Sequence, residues 1–338
     1  MSYVLPYIFL FGGFVLLVKG ADVFVEGSSG IARFLKIPPL IIGLTIVAFG
    51  TSAPEAAVSI TASITGQGGI SVGNITGSNI FNVLMVLGVC ALIKPISVQK
   101  SIMQKDYLLM LVASGALFAV SADMWLTGGN LEAMLSRGDG IILGLFFCIF
   151  VYMTIRSGLK GRNETPKIEE TPQIPEPVKE EKKEKKISLP KGIIMAVLGL
   201  GGVVAGGELV VSGASDIARS FGASETLIGV TVVAIGTSLP ELVTSIMASR
   251  KGENDIAIGN VVGSNMFNIL FVLSASSIIR PIGLDMASIY DIIIMIGVCV
   301  MVYFFAISKK KIMRWEGGLM VAMYAAYTAF AILRDVVL

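Results

Sequence analysis

The chain has 338 residues, of which 54% are hydrophobic and only 15% charged. That balance excludes a soluble globular domain and indicates an integral membrane protein with several spans. The net charge of +2 gives no footing for nucleic acid.

Hydropathy in chain order predicts ten helices, near residues 4–33, 39–64, 69–93, 103–122, 138–157, 190–220, 225–249, 256–279, 287–307 and 314–334. The first apolar run has no basic flank and no small-residue cleavage site, so it is expected to be a retained span. Between the fifth and sixth helices, residues 158–189 are rich in Lys, Glu and Pro and read as a solvated linker. The expected organisation is therefore a first half (1–157), the linker, and a second half (190–338).

Lys and Arg set the expected orientation. With the linker in the cytoplasm, Arg33, Lys36, Lys94, Lys100, Lys105, Arg250, Lys251, Lys309, Lys310, Lys311 and Arg314 share its side. Only Arg137, Arg219, Arg280 and Arg334 lie opposite. This bias places both termini outside and the protein in the cell membrane as a multi-pass chain.

Two phrases occur twice. AFGTSAPEAAVS at 48–59 returns as AIGTSLPELVTS at 234–245, and GNITGSNIFN at 73–82 returns as GNVVGSNMFN at 259–268. Both repeats are offset by 186 residues, which marks an internal duplication. Because each half holds an odd number of predicted helices, the second half enters the membrane inverted. The expected fold is an all-α polytopic membrane protein, ten transmembrane helices in two inverted five-helix repeats.

Within the first phrase, Ala48, Thr51, Ser52 and Glu55 fall at i, i+3, i+4 and i+7, one stripe of a helix. Pro54 carries no N–H, so the carbonyl of Gly50 loses its usual partner and backbone oxygens open beside the carboxylate. The second copy supplies Ala234, Thr237, Ser238 and Glu241, with Pro240 after Gly236. In the second phrase Asn74, Ser78 and Asn82 share a face, as do Asn260, Ser264 and Asn268, while Gly73/Gly77 and Gly259/Gly263 permit close helix approach.

Ser, Thr and Asn in membrane helices also serve as packing glue. A carboxylate at mid-membrane costs about 2.5–3.5 kcal/mol, so Glu55 and Glu241 demand a function. Asp22 and Glu208, also at equivalent repeat positions, are second-rank candidates nearer helix ends. All these ligands are hard oxygen donors, suited to Ca²⁺ and Na⁺ and less to Mg²⁺. The chain has no histidine, which removes the usual proton shuttle and the base a hydrolase would need beside Ser52 or Ser238. An enzyme is not expected, nor is a cofactor, a disulfide among Cys90, Cys148 and Cys299, or a protein partner.

GTSxPE followed by GNxxGSNxxN, present twice, resembles the repeats of the sodium/calcium exchanger family, and the archaeal and bacterial members are most similar. The resemblance implies a Ca²⁺ position using Glu55 and Glu241 with backbone oxygens of Thr51 and Thr237. It implies Na⁺ positions using Ala48, Thr51, Ser52, Ser78, Ala234, Thr237, Ser238 and Ser264. Asn82 and Asn268 complete the expected metal ligands. It further implies Na⁺/Ca²⁺ exchange by alternating access at a midplane site, with the first and sixth helices sliding over the others. An antiporter of the same superfamily using H⁺ or K⁺ is the alternative. Family members often carry Asp where this chain has Asn268, so this chain offers two carboxylates where three are usual.

Overall fold

The computed structural model describes residues 4–99, 102–122, 133–163, 187–222, 232 and 234–337. Among them the chain is helical except for turns and four two-residue strands. Helix α1 covers Leu5–Leu35. Helices α2 (Pro39–Thr51) and α3 (Ala53–Ile64) form one span bent by 50°. Helices α4 (Gly68–Ile93) and α5 (Ile102–Ser121) follow, then α6 (Arg137–Asn163). The second half holds α7 (Leu189–Ser220), α8 (Ala234–Thr237), α9 (Leu239–Arg250), α10 (Asn254–Ile279), α11 (Met286–Lys309) and α12 (Arg314–Val337).

Eight described helices are long and apolar enough to cross a membrane, and the bent α2–α3 pair makes a ninth. The expected seventh span lies partly outside the described residues, as does most of the linker. Helix α6 runs on to Asn163, past its expected end at 157.

Local chemistry accounts for the boundaries. Pro6 sits in the first turn of α1, where its missing N–H costs nothing. The helix stops at Lys36, which is left-handed (φ 54°), before Pro38 and Pro39. The α2–α3 break falls on Ser52 (φ −83°, ψ 7°), two residues before Pro54. Wider π-type turns occupy Gly43–Val47, Asn82–Val86 and Asn268–Val272, the last two starting on the asparagines that end the second phrase.

The two helices carrying that phrase form the centre. In α4 and α10, 78% and 94% of the most apolar window is buried, against 17–39% for the other unbroken spans. Their polar side chains therefore face protein rather than lipid. Helices α1 and α7 pack along a seam of glycines spaced by seven: Gly13, Gly20 and Gly27 against Gly206, Gly199 and Gly192. Rising numbers on one helix meet falling numbers on the other, so these duplicated helices run antiparallel. A Cβ at Gly20 would lie 2.6 Å from the Val203 nitrogen, so the backbones are in direct contact.

The halves also interlock at their ends. Strand β1 (Ile96–Ser97) pairs antiparallel with β4 (Lys311–Ile312), and β2 (Met134–Leu135) with β3 (Ile282–Gly283). Helix α12 packs on α4 where Gly317 meets Gly88. Helix α6 packs on α10, where the Ser274 hydroxyl donates to the Gly140 carbonyl at 2.7 Å.

One fork-like ion pair joins α11 to α12: Arg334 Nη1 and Nη2 reach Asp291 Oδ1 and Oδ2 at 2.9 and 3.3 Å, with side chains 11% and 9% exposed. Asp291→Ala leaves the guanidinium without its carboxylate and is expected to cost about 3 kcal/mol. Thermal unfolding in detergent checks this, and Asp291→Ala with Arg334→Leu should recover most of the loss.

Candidate functional site

The break at Ser52 and its counterpart at Ser238 (φ −94°, ψ 3°) place each glutamate in the first turn of a helix, α3 for Glu55 and α9 for Glu241. That is the end where the helix dipole favours negative charge. Both side chains are fully buried.

Each is held by a hydroxyl from the opposite half. Ser52 Oγ donates to Glu241 Oε1 at 2.8 Å, and Ser238 Oγ donates to Glu55 Oε1 at 3.0 Å. Ser78, from α4, lies 3.3 Å from Glu55 Oε1 and 3.0 Å from Ser238 Oγ. The backbone of each glutamate is pinned in the same way. Asn74 Nδ2 donates to the Glu55 carbonyl and to Ser59 Oγ; Asn260 Nδ2 donates to the Glu241 carbonyl and to Ser245 Oγ. The duplication read from the sequence is thus a duplication of contacts.

The remaining expected ligands take different places. The Thr51 hydroxyl lies 3.1 Å from the Val47 carbonyl and 3.1 Å from Asn260 Oδ1, and it also hydrogen-bonds the Glu241 carboxylate. Ser264 departs from its counterpart Ser78: its hydroxyl donates to the Ala48 carbonyl at 3.4 Å, not to a glutamate. Thr237 is half-buried at the end of α8, and Ala234 opens that helix. Asp22 lies outside this cluster, 3.0 Å from Lys251 Nζ, and Glu208 is exposed on α7.

Between α4 and α10 four buried carboxamides form a network. Asn82 Nδ2 donates to Asn265 Oδ1 at 3.2 Å, and Asn265 Nδ2 to the Asn79 carbonyl at 3.3 Å. Asn268 Nδ2 donates to Asn79 Oδ1 at 3.1 Å. Asn79 and Asn265 were not among the residues read from the sequence. Their signal was present, since both stand in the repeated GSN, but they fall off the stripe drawn through Asn74, Ser78 and Asn82.

This network uses one amide hydrogen each of Asn82 and Asn268 and leaves their oxygens over. Glu55 Oε2, Glu241 Oε2, Asn82 Oδ1 and Asn268 Oδ1 are all buried without a hydrogen-bond partner. Unpaired buried acceptors are costly, and two of these belong to carboxylates. Oxygen acceptors lacking donors are what a dehydrated hard cation completes. Among the described residues no group of three or more His, Cys, Asp or Glu exists, so the anionic part of the site is this pair.

A membrane bundle with a buried pair of carboxylates among hydroxyls and carboxamides has the build of a cation transporter. The family model for sodium/calcium exchanger protein matches residues 5–156 and 191–333, and the chain belongs to that family. It is 41% identical over 282 residues to the putative antiporter CaxA of Alkalimonas amylolytica, covering 83% of each chain. It is 32% identical to the sodium/calcium exchanger MaX1 of Methanosarcina acetivorans, covering 95% of this chain and 97% of that one. Among solved structures it resembles the sodium-calcium exchanger NCX_Mj soaked with Na⁺ and Sr²⁺, with TM-score 0.80, 32% identity, and 96% and 98% of the chains covered. Family and fold are those of an ion exchanger, not an enzyme.

Proposed function

We propose that this protein is a secondary antiporter that exchanges Na⁺ for Ca²⁺ by alternating access at a midplane site. The observation that carries the reading is the crossed pair: Glu55 and Glu241, each buried, each bonded by the other half's serine, and each with one oxygen to spare. The Ca²⁺ ligands are these carboxylates with the backbone of Thr51 and Thr237. Ser52, Ser78, Ser238, Ser264, Ala48 and Ala234 serve Na⁺ through hydroxyls and carbonyls, and Asn82 and Asn268 add neutral oxygens. The whole is ten spans in two inverted repeats, 1–157 and 190–338, joined by a cytoplasmic linker at 158–189. It sits in the cell membrane with both termini outside. The antiparallel glycine seam supports α1 and α7 moving as one body against the bundle.

Two carboxylates balance one Ca²⁺ or two Na⁺. Two Na⁺ entering down a tenfold gradient release about 2.7 kcal/mol, enough to hold Ca²⁺ at about a hundredfold gradient without net charge transfer. A third Na⁺ would carry one charge through the membrane.

The test is ⁴⁵Ca²⁺ flux in proteoliposomes with Na⁺, K⁺ and H⁺ gradients imposed one at a time. A Na⁺ gradient alone is expected to drive Ca²⁺ uptake. Uptake driven by a proton or K⁺ gradient in the absence of Na⁺ would overturn the assignment of the driving ion.

A further inference from the structure

We propose that the cavity between the α3–α4 turn and the segment leading into β3 binds a small oxyanion of the phosphate type. The cavity has a volume of about 190 Å³ and is lined by Ser63, Gly66, Gly68, Gly69, Arg280 and Ile282 among others, with no carboxylate. This site is separate from the cation site and stands independently of the transported ions.

Three features converge on it. Helix α4 begins at Gly68, and its first turn has no side-chain cap. Gly68 and Gly69, at the positive end of the helix dipole, both line the cavity, and without side chains they leave the backbone open to approach. The Arg280 guanidinium lies over Gly66, where any Cβ would strike it. Among the described residues it has no carboxylate partner. Ser63 is fully buried, and its hydroxyl has no hydrogen-bond partner.

The duplication supplies an internal control. One repeat offset later, Ser249 Oγ lies 3.5 Å from Asn254 Oδ1, and Asn254 stands where the first half has Gly68. Glu253 and Asp255 replace Gln67 and Gly69, and both line the equivalent cavity of about 290 Å³. The second copy thus fills its hydroxyl's need from within, and of its two carboxylates Glu253 is paired with Arg33 at 3.2 Å. The first copy removes the side chains, leaves the hydroxyl waiting, and carries a guanidinium. A phosphate-type group satisfies all three donors at once: it accepts from helix N–H groups, from the serine, and from arginine in a charge-assisted pair. The cavity lies at helix ends, so that group can be a free oxyanion or a lipid headgroup.

The experiment measures unfolding midpoints of purified protein in Ca²⁺-free buffer. One arm titrates inorganic phosphate in detergent; the other compares nanodiscs of phosphatidylglycerol and phosphatidylcholine. A dose-dependent rise is expected in at least one arm, and which arm responds identifies the source. Arg280→Gln and Ser63→Ala should each weaken the apparent affinity about tenfold. Without anion, Ser63→Ala should unfold at the parent's midpoint, since its hydroxyl has no bond to lose; this separates lost binding from lost folding. Phosphate stabilises many proteins non-specifically. Equal shifts in the parent and both variants, or no shift in either arm, would overturn the proposal.

Discussion

Glu55→Gln and Glu241→Gln are each expected to abolish Na⁺-coupled Ca²⁺ flux while leaving a folded protein. The glutamine amide keeps an acceptor oxygen for the serine that now bonds Oε1, so Ser52 and Ser238 retain their partners. On the proposed function, what is lost is one of the two charges that neutralise a divalent ion. At about 4 Å and an effective dielectric of about 20, one unit pair is worth about 4 kcal/mol. A divalent ion interacts more strongly still, so Ca²⁺ affinity should fall by at least about a thousandfold. Size-exclusion profiles check the fold, and ⁴⁵Ca²⁺ uptake checks the function. Coupled flux at parental rates in both variants would remove these residues from the site.

The second large effect lies away from the ions. Gly20→Val puts a Cβ 2.6 Å from the Val203 nitrogen and 2.9 Å from the Gly199 carbonyl oxygen, and no rotamer moves that atom. Overpacking against side chains typically costs about 1–3 kcal/mol. Against a backbone held by its own helix the cost should exceed that range. The expected result is loss of monodisperse protein or at least a tenfold fall in flux. Gly12→Val is the control, since Gly12 is exposed on the same helix with nothing within 4 Å of an added Cβ. It should behave as the parent; if Gly20→Val does so too, the seam is not a close contact.

Much of this arrangement was legible in the residues. For the nine described spans, long apolar runs mark the positions within a few residues, because water and lipid sort side chains without reference to tertiary detail. The proline after each GTS marked a true break, since a missing N–H acts locally. Other features depended on contacts across the duplication. The stripe Ala48, Thr51, Ser52, Glu55 names residues of one half, and only the fold shows that its hydroxyls reach across to Asn260 and Glu241 of the other. Ser78 and Ser264 are equivalent in sequence but meet different acceptors, a glutamate and a carbonyl. The network through Asn79 and Asn265 depends on how α4 crosses α10, which no single helical wheel contains. The two-residue strands are too short to leave a pattern in the sequence.

The crossed strands bear on how the polypeptide is made. When the ribosome has finished residue 163, the surface that α4 needs for Gly88 and the strand that Ile96 needs are both still untranslated, since they belong to Gly317 and Ile312. Until α12 arrives, the first half lacks the partners of those two edges. The contacts that close the first half are therefore made only after α12 is synthesised, and the order of synthesis runs opposite to a half-by-half assembly.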